Sequence, residues 1–197
     1  HYGEARSLSA DEPTILMALG WAYVQMGRPA AESFLAFRAA AMGLARDDRG
    51  VEVDGVTLSL RGLAYLLALS HAVQVLEQTD LQGAWRGELD RMLRGAITAF
   101  ERMAIAQGDG PALRVGEREV ALFRARPFPA AANYYLAARL AWSAPFLAAS
   151  SEAPRLSSRA LHMQDRAAAA YPQAADAVQH ARLRWQAELG SGLIPPA

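Results

Sequence analysis

Apolar positions along this chain fall in runs separated by short polar or Gly/Pro breaks, and the spacing inside the runs is mostly helical. From Ile15 to Met26 nearly every residue is apolar or small. A helix that is apolar all round is buried on several sides. Pro13 suits a first helical turn, and Ser9, Asp11 and Thr14 offer N-cap oxygens. Gly27 stands where a helix end takes a residue free to adopt positive φ, and Pro29 can open the next helix. Phe34, Phe37, Ala41 and Leu44 then follow at i, i+3, i+7 and i+10, one stripe of a second helix. The tight Gly27-Arg28-Pro29 turn keeps the two helices antiparallel. Such a pair cannot bury its faces alone and needs neighbours.

Beyond this hairpin, Asp47-Asp48-Arg49-Gly50 is a polar turn. Val51 to Leu58 alternates and carries Asp54-Gly55, which predicts a β-hairpin or an extended loop between helices. Leu60 to Gln78 predicts a helix apolar on most sides. Ala84 to Gln107 is the clearest amphipathic helix, with Trp85, Leu89, Met92, Ala96, Phe100 and Met103 as its buried stripe. Glu88 with Arg91 and Asp90 with Arg94 are solvent-face pairs at helical spacing, worth a few tenths of a kcal/mol each. Gly108 to Pro111 ends this helix. The stretch Leu113 to Arg126 breaks the helical rhythm: Leu113-Arg114-Val115 and Val120 to Phe123 flank Gly116 to Glu119 as a short hairpin or loop, closed by Pro127 and Pro129. Ala130 to Ala144 is helical, and Pro145 ends or kinks it. Ser150 to Pro154 is a turn, Leu156 to Ala170 a helix, and Tyr171-Pro172 a break before a last helix to about Leu189 with Val178, Trp185 and Leu189 as its stripe. Gly190 to Ala197 is a flexible tail.

The first hairpin resembles a tetratricopeptide repeat (TPR), a helix-turn-helix unit of roughly 34 residues. Leu19, Gly20 and Tyr23 match the repeat's first helix and Gly27 its turn glycine. Phe37 and Ala40 match its second helix once an extra residue is allowed near Ala30-Ala31, which places the small residue of that helix on Ser33. Counting back by one repeat, Tyr2, Ala5 and Leu8 fall on matching positions of a preceding unit, so the chain is expected to begin inside an earlier repeat, as a fragment or processed product would. A weaker match places Leu147, Ala160, Leu161, Ala167 and Pro172 at repeat spacing. The resemblance implies an all-α fold of antiparallel helical hairpins stacked as a TPR-like α-solenoid, with small β-hairpin or loop insertions. Residues 1–46 would be the TPR-like part with its first repeat truncated, 47–189 a diverged helical-hairpin region, and 190–197 the tail. It further implies a non-catalytic scaffold or adaptor for protein–protein interaction, a subunit of a larger bacterial assembly, with a protein or peptide partner in the groove lined by first helices. In the register of Leu19-Gly20, that groove face carries Thr14, Met17, Trp21, Val24 and Gln25. Trp21 is its informative residue, because Leu19, Tyr23, Phe34 and Phe37 already supply the core contacts; the alternative is that Trp21 covers a helix of the next hairpin.

Composition narrows the function classes. The chain has 197 residues, 52% of them hydrophobic, with a formal charge of zero, which suits a sizeable core and leaves no basic footprint for nucleic acid. Every Lys/Arg-type cation is arginine, a bias that with the abundant alanine points to a GC-rich bacterial genome. Cysteine is absent, removing disulfides, thiolate zinc sites and cysteine nucleophiles but leaving the compartment open between bacterial cytoplasm and periplasm. The longest apolar run, Leu63 to Leu69, is far short of the roughly 20 residues a transmembrane helix needs. His1 reads as a chain-end residue, His71 as a satisfied interior histidine, His162 with Asp165 as a surface pair with no third ligand nearby, and Glu117-Arg118-Glu119 as a solvated tip. No nucleophile elbow, phosphate loop or dinucleotide fingerprint is present, so no catalytic, metal or cofactor residue is assigned. The runner-up reading is a small all-helical enzyme or ligand-binding protein whose pocket is lined by Tyr134, Tyr135, Trp142 and Trp185.

Overall fold

The computed structural model describes residues 12–44, 49–53, 56–77, 82–108, 112–115, 118–121, 127–144 and 151–170. These residues are mostly helical. In chain order they form α1 (Pro13–Gln25), α2 (Ala30–Gly43), β1 (Gly50–Val53), β2 (Val56–Ser59), α3 (Leu60–Glu77), α4 (Gln82–Gly108), β3 (Ala112–Val115), β4 (Arg118–Ala121), α5 (Pro127–Ser143) and α6 (Glu152–Ala170). The expected last helix, the tail, the partial repeat at Tyr2, Ala5 and Leu8, and Leu147 and Pro172 of the weaker match lie outside the described residues.

The α1–α2 connection follows from its glycine. Gly27 has φ of +61°. Its N–H donates to the Val24 carbonyl at 3.1 Å, and the Arg28 N–H donates to the Tyr23 carbonyl at 2.9 Å, the paired closure that satisfies the last carbonyls of a helix. At the other end of α1 the cap position is Glu12, which makes no side-chain cap bond. Thr14 is already helical, and its hydroxyl donates to the Glu12 carboxylate at 2.6 Å, so it is not the cap that sequence offered.

Prolines account for the other shifts in boundary. Pro127 and Pro129 stand in the first turn of α5, and Pro154 in the first turn of α6, where the missing N–H would have had no intrahelical partner. These residues begin helices instead of closing the segments before them. Ser59 ends β2 and caps α3, its hydroxyl accepting from the Gly62 N–H at 3.1 Å. The two β excursions are present as two separate two-stranded sheets. In the second, Ala112 pairs with Ala121 and Val115 with Arg118, antiparallel. Arg118 and Glu119 therefore belong to strand β4, and only Gly116 and Glu117 separate the strands.

The described elements divide into two compact units. One holds α1, α2, α3 and α4 as far as Ala99; the other holds β1, β2 to Leu58, α4 from Phe100, β3, β4, α5 and α6. In the first unit α2 packs on both α1 and α3. Phe34, Phe37, Ala41 and Leu44, the stripe read from sequence, are all buried, together with Ala64, Ala68 and Ala72 along α3 and Met92 and Ala96 of α4. Glycines let large rings come close to facing helices. A Cβ on Gly20 would sit 2.5 Å from the Phe37 ring, and one on Gly95 would sit 2.8 Å from the Tyr65 ring.

In the second unit α5 packs against α6, with alanines 130, 137, 138 and 141 facing a core that includes Phe100, Leu156 and Met163. Trp142 Nε1–H donates to Ser157 Oγ at 3.1 Å, and Arg155 pairs with Glu101. Asn133 is completely buried. Its Nδ2 lies 3.0 Å from the Thr57 carbonyl, 3.0 Å from Gln107 Oε1 and 2.9 Å from the Pro129 carbonyl, and Gln107 Nε2 also donates to the Thr57 carbonyl at 2.9 Å. This polar knot ties β2 to α4 and α5.

Candidate functional site

Helix α2 is apolar on more sides than it buries. Its inner stripe forms the core just described. On its outer side Leu35 is 56% exposed and Met42 55%, with the exposed Ala31 and Ala39 between and beside them. Helical spacing sets Ala31, Leu35, Ala39 and Met42 along one ridge. Of the six exposed large hydrophobic residues among those described, four (Trp21, Met26, Leu35 and Met42) belong to α1, α2 and their connection. Exposed apolar residues are ordinary when scattered, and informative when they share one ridge, as Leu35 and Met42 do.

A groove runs along each flank of the ridge. The one shared with α1 has a volume of about 300 Å³ and is lined by Leu16, Leu19, Tyr23, Glu32, Leu35, Ala36 and Ala39. Glu32 at its end is paired with Arg28 at 3.1 Å. The other, about 270 Å³, lies between α2, α3 and α4, lined by Arg38, Met42, Tyr65, Glu88, Arg91 and Met92. Here Glu88 is clamped from both sides: Arg38 Nη2 and Nε each reach Oε1 at 2.8 Å, and Arg91 reaches Oε2. The bond from Arg38 holds the Glu88 carboxyl below its usual range, outweighing the upward push of burial, and Arg91 adds to the lowering. Glu88 is therefore part of a link between helices and not only a solvent-face partner of Arg91. Asp90 and Arg94 do pair on α4, at 3.2 Å. Arg61 lies over the Tyr65 ring, 5.5 Å from its centroid.

The residues that the sequence placed on a partner face of α1 divide by burial. Thr14, Trp21 and Gln25 are exposed and Val24 half-buried, whereas Met17 is only 8% exposed. Met17 is taken into the packed interior because α1 is apolar on nearly every side, so that face offers a partner fewer contacts than expected. Trp21 is 47% exposed and meets the Phe37 ring edge-on, with centroids 5.9 Å apart. This stripe lies on the side of α1 away from Leu16, Leu19 and Tyr23, so the Trp21 face and the α2 ridge are different surfaces. Sequence reasoning missed the ridge. Its signal was present in the apolar positions outside the Phe34–Phe37 stripe, but periodicity alone cannot say which of two apolar faces finds a neighbour.

The chemistry-bearing candidates resolve simply. His71 sits in α3 with Nδ1 2.8 Å from the Leu67 carbonyl, its ring 5.4 Å from that of Phe37. His162 and Asp165 are both exposed on α6. Among the described residues no group of three or more His, Asp or Glu side chains is placed to hold a metal ion, and no helix is long and apolar enough to cross a membrane. Tyr134 and Tyr135 are buried in the second unit's core, and Trp142 donates to Ser157 beside them; Trp185 lies outside the described residues. No protein-family model matches the chain, nor does any curated protein or any solved structure.

Proposed function

We propose that this chain is a non-catalytic helical scaffold that holds another protein, built from TPR-like helical hairpins and working as a subunit of a larger bacterial assembly. The observation that carries the reading is the apolar ridge of α2, exposed between two grooves on a hairpin whose inner face is already fully packed. A helix gains nothing for its own fold by presenting Leu35 and Met42 to water, whereas covering the exposed half of two such side chains with a partner is worth about 1 kcal/mol each. The stretch from Leu19 to Ala40 that resembles the repeat, with Gly20 seated against Phe37, supports the repeat-type description of the same hairpin.

The test is recovery of a partner from the source organism by the full chain and two variants. Leu35→Arg places a charge on the ridge without touching the core, so its melting temperature should stay within a few degrees of wild type while partner recovery falls at least tenfold. Trp21→Ala probes the other face. Loss of recovery with Trp21→Ala but not with Leu35→Arg would move the partner to the face that the repeat resemblance implies. Undiminished recovery with both would remove the scaffold reading of this hairpin.

A further inference from the structure

Building on that reading, we infer that the ridge of α2 receives an amphipathic helix whose polar flank is acidic. The backbone argument selects a helix. The ridge and its grooves are surfaces of helices, whose own backbone groups are already hydrogen-bonded, so they have no row of donors and acceptors to offer. An extended strand laid on Leu35, Ala39 and Met42 would bury its N–H and C=O groups unmatched. A helix brings its backbone bonds with it, and its ridges fit the grooves on either side.

The charges select the sign. Beside the ridge stand Arg28, Arg38 and Arg91 against Glu32 and Glu88. Glu32 is matched by Arg28, and Glu88 is held by two guanidiniums, so among these described groups the positive charges exceed the negative by one. Arg91 is the outermost of these groups, its side chain 76% exposed. A carboxylate on the incoming helix would meet Arg91 beside the contact with Met42; a lysine there would face two arginines. Guanidinium recognition of a carboxylate is directional as well as electrostatic.

The experiment is a selection from a displayed library of helix-forming peptides with surface positions randomised, using the full-length wild-type chain as bait and full-length Leu35→Arg in counter-selection. The expected outcome is enrichment of peptides with an apolar stripe at i, i+3, i+4 and i+7 flanked on one side by Asp or Glu. The best of them should bind at least tenfold more weakly to Arg91→Glu, and its Lys-for-Glu version should bind Arg91→Glu better than wild type. Enriched peptides that are basic, lack helical spacing or ignore the Arg91 exchange would overturn the inference, as would no enrichment at all. A dimer of the chain itself that dissociates on Leu35→Arg would also overturn it, by giving the ridge to a second copy. If the peptide selection fails while partner recovery still depends on Leu35, the scaffold reading stands and only the acidic-helix inference falls.

Discussion

Gly20 and Phe37 occupy a space that holds one of them at full size only because the other has no side chain. A Cβ at position 20 would meet three atoms of the Phe37 ring within 2.8 Å, and Phe37, with no exposed surface, has no room to withdraw. Gly20→Leu should therefore destabilise the chain by roughly 1–3 kcal/mol through overpacking, read as a fall in the denaturant midpoint at unchanged slope. An unchanged midpoint would mean that α1 and α2 do not approach as described. Glu88 gives a second single-residue expectation. Its folded pKa is depressed below the ordinary 4.5, chiefly by the Arg38 hydrogen bond. The folded state therefore favours the carboxylate. The stabilisation is fully present above about pH 4.5 and is lost as pH falls through the lower folded value. Wild type should exceed Glu88→Gln in stability at pH 7, and the gap should narrow in acid; a gap independent of pH would show that the clamp is not electrostatic.

Helices were legible wherever an apolar run met a clear stop. Gly27-Arg28-Pro29 marked one such stop, and the alternation through Asp54-Gly55 marked the first strand pair. Less visible were elements whose limits depend on orphan backbone groups. Pro127, Pro129 and Pro154 look like breaks in a linear reading, yet they open helices because a first turn has no use for the missing N–H. Ser59 carried a cap signal overshadowed by the strand before it. The Asn133 knot was illegible for another reason: Thr57, Gln107, Pro129 and Asn133 are far apart in sequence, and nothing in local pattern links a carbonyl on β2 to an amide on α5. Three acceptors share the two hydrogens of one buried amide. Asn133→Leu should lower stability by about 1–3 kcal/mol by leaving the Gln107 carbonyl oxygen without its donor, and amide exchange in β2 should quicken. Loss of stability with no change in β2 would place the effect in packing alone.

Across the described residues the two units are built from the same material. Both pack alanine-lined helices closely, and in the first Leu35 and Met42 stand exposed on the ridge of α2. Neither that ridge nor the arginines that rim it are visible from composition, where the charges cancel. The absence of lysine has a practical bearing on any assembly. Amine-reactive cross-linkers find no side chain on this chain, so contacts across the ridge are better captured by a photoreactive residue substituted for Met42. A cross-link formed from position 42 and not from exposed position 105 on α4 is the expected pattern; equal cross-linking from both would deny the ridge any specificity.

The knot around Asn133 also bears on how freely the chain can change over generations. At Thr57 it uses the main-chain carbonyl, which every amino acid possesses, whereas at positions 107 and 133 it uses side-chain amides that few residues can imitate. In a saturation-mutagenesis survey scored by folded yield, position 57 should accept a wide range of substitutions while 107 and 133 accept few. The hairpin could then diversify its outward residues while its attachment is inherited intact.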